Sequence, residues 1–186
     1  MIALIQRIAR AIPHTALAKA FRRENGTAAV EFVLTVPILI TIFMASFESG
    51  LLMTRSIMLE QSVDMTMREL RLGHYPLPTP ELLKEEICKR TVIFKDCVAN
   101  IQIEMTRIST TTWNLPGNSV ACIDRSEDIQ PVTALQIGQQ NDVMLIRVCV
   151  VQDALFPTTG IGLGLPKEGN GGYGVVAVSA FVTEPS

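Results

Sequence analysis

The sequence is short of charged residues and of histidine. Aspartate, glutamate, lysine and arginine make up 18% of the 186 residues, whereas 48% are hydrophobic and the mean hydropathy is +0.31. In an ordinary soluble domain about a quarter of the residues are charged, so the apolar excess must be concentrated in one segment. This apolar content excludes an intrinsically disordered chain. A pI of about 5.7 argues against a nucleic-acid binder with a large basic surface.

Patterns typical of enzymes and of metal sites are missing as well. After residue 26 the only histidine is His74, and a Ser-His-Asp or Cys-His arrangement would have to use it beside a run of prolines. The glycine-rich run 160–164 lacks the spacing of a dinucleotide-binding loop, and no Gly-Lys-Ser follows it. The absence of a C-x-x-C pair disfavours zinc. We therefore expect no enzymatic activity, no cofactor and no metal, and keep an anchored enzyme of unrecognised type as an alternative.

The apolar excess lies in residues 27–47, where Glu31 is the only charged residue. This length of α-helix spans about 31 Å, which is close to the thickness of the hydrocarbon core of a bilayer. A helix that is apolar on every side over this length is hard to bury in so small a protein, so a transmembrane helix is favoured over a core helix. A secretory signal peptide is disfavoured because basic residues interrupt residues 1–20 and no A-x-A site ends the apolar run.

Charge is distributed unevenly on the two sides of this span. Residues 1–26 contain five basic residues and one acid, whereas residues 27–186 contain 11 basic and 17 acidic residues. Arg22 and Arg23 stand just before the span. The positive-inside rule then places the amino terminus in the cytoplasm and the residues after 48 on the other side of the membrane.

A glycine followed five residues later by a glutamate stands at the head of the apolar run, as Gly26 and Glu31. This is the type IV prepilin pattern. With Pro37 inside the run and Phe47-Glu48-Ser49-Gly50 at its end, the stretch 22–73 resembles the TadE-like pseudopilins of the tight-adherence (Tad/Flp) type IVb pilus system. The carboxyl-terminal run Ala-Phe-Val-Thr-Glu-Pro is similar to the strand and Glu-Pro ending common in that family.

The resemblance implies a minor pilin-like subunit needed for assembly of a thin pilus, a structure of adhesion and biofilm formation, at the bacterial inner membrane. It implies that a prepilin peptidase cleaves between Gly26 and Thr27. Glu31 would then pair with the new amine of Thr27, and Pro37 would kink the helix. The implied partners are the inner membrane, the prepilin peptidase, other pilin-like subunits and the Tad inner-membrane platform, without nucleic acid.

A second function class shares this topology. The chain would then be an uncleaved single-pass periplasmic adaptor, whose domain binds other components of a secretion or pilus assembly machine. The two readings differ at Gly26, because only the pilin-like subunit exposes Thr27 as its mature amino terminus.

Beyond the span, the pattern predicts an α+β domain with a small antiparallel sheet. Apolar residues continue along one helical face, which extends the helix to about residue 72. Gly73 and three following prolines stop it, and Thr79 caps a second short helix that starts at Pro80. Three segments are predicted as strands because they alternate or are rich in β-branched residues: 101–106, 143–151 and 175–182. The glycine-rich segment 156–174 between the last two strands is predicted as loop.

These patterns divide the chain into four parts: a basic cytoplasmic leader over 1–26, a transmembrane helix over 27–47, a periplasmic continuation of that helix over 48–73, and a periplasmic α+β domain over 74–186. The sheet is expected to pack on the outer half of the long helix. This arrangement is the lollipop plan of pilins.

Four cysteines all follow the span, where the topology predicts an oxidising periplasm: Cys88, Cys97, Cys122 and Cys149. An even number in such a compartment favours disulfides. Three pairings are possible. We favour Cys88–Cys97 and Cys122–Cys149 because each closes a local loop at the end of a predicted helix or strand, and each bridge would contribute about 3 kcal/mol.

Overall fold

The structure is a computed structural model, and it describes residues 24–76, 78–117, 120, 122–127, 135–136, 138–158, 160–169 and 171–184. Two compact units divide the chain: one ends at Met44, and the other runs from Ala45 to the carboxyl terminus. Most of the predicted leader (1–23) and Pro185 lie outside the described residues. The four-part division of the chain therefore stays a prediction.

One long helix, α1, covers Glu24–Arg71 and passes through both units. It begins three residues before the predicted start and ends close to the predicted end. Its last carbonyls are satisfied by a Schellman motif, in which His74 N donates to Glu69 O and Gly73 N donates to Leu70 O, both at 3.1 Å. Gly73 has a φ of +74°, a left-handed conformation that glycine adopts without strain. The predicted glycine stop is therefore confirmed.

The part of α1 in the first unit is exposed on every side. From Ala28 to Phe47 no side chain is buried, and the large apolar residues are about half to two-thirds exposed. The most apolar 18-residue window of this helix has a mean hydropathy of 2.2. Such a helix is long and apolar enough to cross a membrane once, which fits a single-pass membrane protein.

The second unit adds three helices and three strands to the carboxyl-terminal part of α1. In chain order they are α2 (Pro80–Arg90), α3 (Cys97–Asn100), β1 (Ile101–Ile108), β2 (Val143–Gln152), α4 (Gly160–Gly164) and β3 (Tyr173–Val182). The strands form one antiparallel sheet in the order β1-β2-β3, with Ile103 opposite Val148 and Val148 opposite Ala177. The predicted α+β class and small antiparallel sheet are confirmed.

The core lies between α1, α2 and one face of the sheet. Leu59, Val63 and Met67 of α1 are fully buried there, on the helical face that the sequence predicted. They pack with Leu83 and Ile87 of α2 and with side chains of all three strands. Burying each such side chain contributes about 1.5–3 kcal/mol, so this face is the main apolar attachment of α1 to the domain.

Both favoured disulfides are present, Cys88–Cys97 and Cys122–Cys149. The first joins the end of α2 to the start of α3. The second ties the segment around Cys122 to the central strand β2, on the face of the sheet away from α1. The first bridge therefore links two helices, and the second fastens an irregular segment to the sheet.

Two short helices were missed by the sequence prediction. Residues 97–100 were not assigned, and residues 160–164 were predicted as loop, but the structure forms α3 and α4 there. Elements of four or five residues are too short to show a helical period. In α4 the glycines permit close packing: a Cβ at Gly162 would stand 2.3 Å from the carbonyl oxygen of Phe156.

We expect removal of the Cys122–Cys149 bridge, as Cys122→Ser/Cys149→Ser, to lower the free energy of unfolding by about 3 to 4 kcal/mol. This bridge closes a sequence separation of 27, whereas the Cys88–Cys97 bridge closes 9. The matched variant Cys88→Ser/Cys97→Ser should therefore lose about 1 kcal/mol less. Urea unfolding of the full chain in detergent micelles measures both losses. Alkylatable thiols in unreduced native protein, or a larger loss for the shorter loop, would contradict this assignment.

Candidate functional site

The predicted processing site lies in the first turn of α1. Gly26 and Thr27 follow Glu24, the first residue of the helix, so the peptide bond between them is helical. The processing role of the two residues stays a prediction.

Glu31 stands four residues after Thr27 on the same helix. Positions four apart lie on one face, with Cβ atoms about 5–6 Å from each other. The Glu31 side chain is exposed, and its backbone carbonyl accepts a hydrogen bond from Thr35 Oγ1 at 2.7 Å. The Glu31 side chain is therefore on the exposed surface of the helix, and its pairing with an amine at position 27 stays a prediction.

Pro37 lies inside α1, and the helix continues on both sides of it. Proline has no N–H, so one helical hydrogen bond is missing at this point, and kinks commonly form there. The hydroxyl of Thr41 bonds the carbonyl of Ile38 at 2.8 Å, which satisfies a polar side chain without water in an apolar stretch. The helix passes through Pro37 without a break, and the kink stays a prediction.

Glu48 is the first buried side chain of α1 among residues 28–71, with 1% of its surface exposed. Its two carboxylate oxygens accept separate backbone hydrogen bonds: Oε1 from Leu155 N at 3.1 Å and Oε2 from Phe156 N at 2.9 Å. A buried carboxylate is costly unless it is hydrogen-bonded, and these two amides provide its partners. Glu48 therefore fastens the segment after β2 to the helix.

Arg55, one heptad beyond Glu48, makes the next polar contact. Its Nη1 donates to the carbonyl of Asp153 at 3.0 Å and to the hydroxyl of Tyr173. Its guanidinium carbon also stands 5.7 Å from the centre of the Tyr173 ring, a cation–π distance. Arg55 therefore binds the end of β2 and the start of β3 at once.

The same face of α1 carries two more polar contacts, again at steps of seven residues. Ser62 Oγ donates to the carbonyl of Ile87 at 2.6 Å, and Glu69 accepts from Arg90 Nη2 at 2.7 Å. Positions seven apart lie nearly one above the other on a helix. Four polar residues thus form one row, the polar row, which contacts the domain along its length: Glu48, Arg55, Ser62 and Glu69.

Charged and polar groups of the domain gather where the polar row ends. The hydroxyl of Tyr75 donates to Glu69 Oε2 at 2.5 Å, and burial, reinforced by this carboxylate, raises the pKa of Tyr75. On α2, the hydrogen bond from Lys89 at 2.6 Å lowers the pKa of Glu86. Lys89 is largely exposed, so this pair adds little stability. Its neighbour Arg90 reaches α1, and so it contributes to positioning α2.

The match with known proteins covers these features of α1. Residues 26–68 match the family model described as TadE-like protein. Over this segment, the chain is similar to TadE-like proteins. No curated protein and no solved structure matches the chain.

The TadE-like segment begins at Gly26 and includes Glu31, Pro37 and Glu48, together with most of the polar row. It therefore contains both the apolar helix and the surface by which that helix holds the domain. The two disulfides and the whole sheet lie beyond it. Among the residues that the structure describes, no three His, Cys, Asp or Glu side chains are grouped so that they could hold a metal ion.

Sequence reasoning missed the roles of Glu48 and Arg55. Both are charged residues in a mixed stretch, where exposure is the usual expectation. Their spacing in the sequence could have indicated these roles, since positions 48, 55, 62 and 69 are all polar and stand seven residues apart. A row of this kind beside the predicted apolar face indicates polar contacts with a domain.

We expect Glu48→Gln to lower the free energy of unfolding of the domain by about 1–3 kcal/mol. The amide keeps one acceptor oxygen, but its NH₂ group would face a backbone N–H, leaving a buried donor without a partner. Protease resistance and thermal unfolding of the full chain in micelles measure the loss. Glu60→Gln, an exposed glutamate of the same helix, is the matched control and should leave stability unchanged. Equal effects of the two substitutions would mean that the buried hydrogen bonds of Glu48 are not stabilising.

Proposed function

We propose that this chain is a minor pilin-like (pseudopilin) subunit needed for assembly of a Tad/Flp-type pilus at the inner membrane. The observation that carries the proposal is the TadE-like segment 26–68, in which Gly26 and Glu31 stand at the head of an exposed apolar helix that continues into a folded domain. The role is structural rather than enzymatic.

The proposed maturation uses the first turn of α1. A prepilin peptidase cleaves after Gly26 and creates an amine on Thr27. An acid near the bilayer core costs about 2.5–3.5 kcal/mol at the helix centre on insertion scales, and somewhat less one turn inside. Pairing the Glu31 carboxylate with the new amine offsets this cost, because each charge neutralises the other where water is scarce. The pairing would thus favour association of mature subunits.

The proposed topology places the leader in the cytoplasm and the second unit in the periplasm. Arg22 and Arg23 before the span support the cytoplasmic amino terminus. Two disulfides in the second unit support an oxidising compartment for the domain.

Other pilin-like subunits and the Tad inner-membrane platform are the proposed partners. One face of α1 is buried against the domain, but the opposite face exposes Met53, Ile57 and Met65, which are 65%, 62% and 47% exposed. Exposed apolar side chains along a helix are suited to packing against a second helix. This face supports contact with a neighbouring subunit.

The uncleaved periplasmic adaptor is the second candidate. It has the same span, domain and exposed helix face, and it needs no function for Gly26. Processing at Gly26 therefore separates the two candidates directly.

We expect Gly26→Val to block processing, since the peptidase must seat the backbone where a side chain would clash. Mass spectrometry of the purified protein should show Thr27 as the amino terminus in the wild type and an intact leader in the variant. The matched control is Gly50→Ala, because a Cβ at Gly50 meets nothing within 4 Å and this glycine is outside the cleavage site. An intact leader in the wild type itself would leave the adaptor as the better account.

We expect Glu31→Gln to give a subunit that inserts and is processed but supports few or no pili. Without the carboxylate, the Thr27 amine has no counter-charge in a poorly solvated setting. Glu31→Asp should be intermediate because its reach is one methylene shorter. Pilus counts by electron microscopy and crosslinking to other subunits measure the effect, with Glu60→Gln as the control. Normal pili and normal complexes in the Glu31→Gln strain would show that this charge is not needed for pilus assembly.

A further inference from the structure

The segment that Glu48 holds is free of charge over a long stretch. Residues 154–166 contain no Asp, Glu, Lys or Arg. Within it the structure exposes three large apolar side chains: Leu155 at 53%, Ile161 at 37% and Leu163 at 63%. We name these three residues the apolar foot. Exposed apolar side chains within an uncharged segment indicate a surface that contacts another apolar phase.

The apolar foot is fixed at the part of α1 where the predicted span ends. Glu48 bonds the amides of Leu155 and Phe156, and a Cβ at Gly160 would stand 3.5 Å from the Cβ of Ala45. Gly162 in turn packs tightly on the carbonyl of Phe156, so α4 is held against the same segment. The contacted helix residues, 45 and 48, lie within one turn of Phe47, the last residue of the predicted span.

We propose that the apolar foot inserts into the interfacial region of the bilayer leaflet from which the domain emerges. This inference rests on the membrane insertion of α1 in the proposed function. Apolar side chains of interfacial segments reach about 5–10 Å into the boundary between headgroups and acyl chains. The foot is held close enough to the end of the span to reach this zone.

Charge distribution favours lipid over a protein partner at this surface. The exposed apolar residues farther along α1 stand beside exposed charges such as Glu60 and Arg68, which resemble the polar rim of a protein interface. The apolar foot lacks such a rim over residues 154–166. Glu48, the acid of α1 closest to the foot, is buried with its oxygens turned to backbone amides, so its charge is kept from the lipid.

Tryptophan fluorescence in lipid nanodiscs tests this proposal on the full chain. Trp113 is the only tryptophan, so Trp113→Phe provides a silent background. Leu163→Trp in that background reports the foot, and Ile161→Trp is a second reporter. Nanodiscs of phosphatidylcholine and phosphatidylglycerol would contain lipids brominated either near the carbonyl groups or near the chain ends. We expect blue-shifted emission from the foot, with a large loss caused by the shallow bromines.

Two further reporters act as controls in the same background. Leu72→Trp places the probe at an exposed leucine beyond the far end of α1, about 36 Å along the helix axis from Glu48, and should be unaffected by either lipid. Phe43→Trp lies in the predicted span and should lose emission with bromines on the acyl chains.

Quenching at Phe43→Trp without quenching at either foot position would overturn the proposal for the foot and leave the span intact. Absence of quenching at all three positions would overturn membrane insertion itself, and the foot proposal with it. A foot reporter that shifts only when several copies share a nanodisc, without loss from bromine, would show a protein contact instead and also overturn the proposal.

Discussion

The carboxylate of Glu48, buried and bonded to two backbone amides, is the contact on which the arrangement of this protein depends. Before it, residues 28–47 of α1 are without a buried side chain; after it, one face of the helix is covered by the domain. Glu48 therefore stands where the surroundings of the helix change. A carboxylate can be buried at this point because the amides of Leu155 and Phe156 donate hydrogen bonds to it, which offset the free energy lost on removing it from water.

Apolar and polar side chains of α1 contribute differently to the rest of its attachment to the domain. Burial of Leu59, Val63 and Met67 stabilises the attachment, but burial is non-directional and does not by itself fix a position along the helix. The polar row does so, because each member meets a particular carbonyl, amide or ion partner. Arg55 shows this most clearly, as its guanidinium joins the Asp153 carbonyl, just after β2, to Tyr173 at the start of β3. Sliding the helix would break such contacts without offering equivalent ones.

The TadE-like segment thus combines three surfaces on one helix. Its amino-terminal part carries Gly26 and Glu31, its middle is an exposed apolar helix, and the domain packs on its last part. A pilin-like subunit needs all three: a place for maturation, a stretch that lipid or other helices can surround, and a rigid attachment for the folded head. In an uncleaved adaptor the second and third would suffice.

The sequence by itself determined the elements whose signals are local. Residues close together in the chain determine four of these features: the apolar run, the glycine stop at Gly73, the capped start of α2 and the three alternating or β-branched strands. The favoured disulfides likewise join cysteines that are close in the chain. Tertiary structure alone decided that Glu48 and Arg55 are buried. Their partners lie about 100 residues away, and whether a charged residue is exposed or buried depends on such distant backbone groups. The short helix α4 also depends on packing that no local pattern shows: a Cβ at Gly162 would clash with the carbonyl oxygen of Phe156, and Gly160 lies against Ala45 of α1.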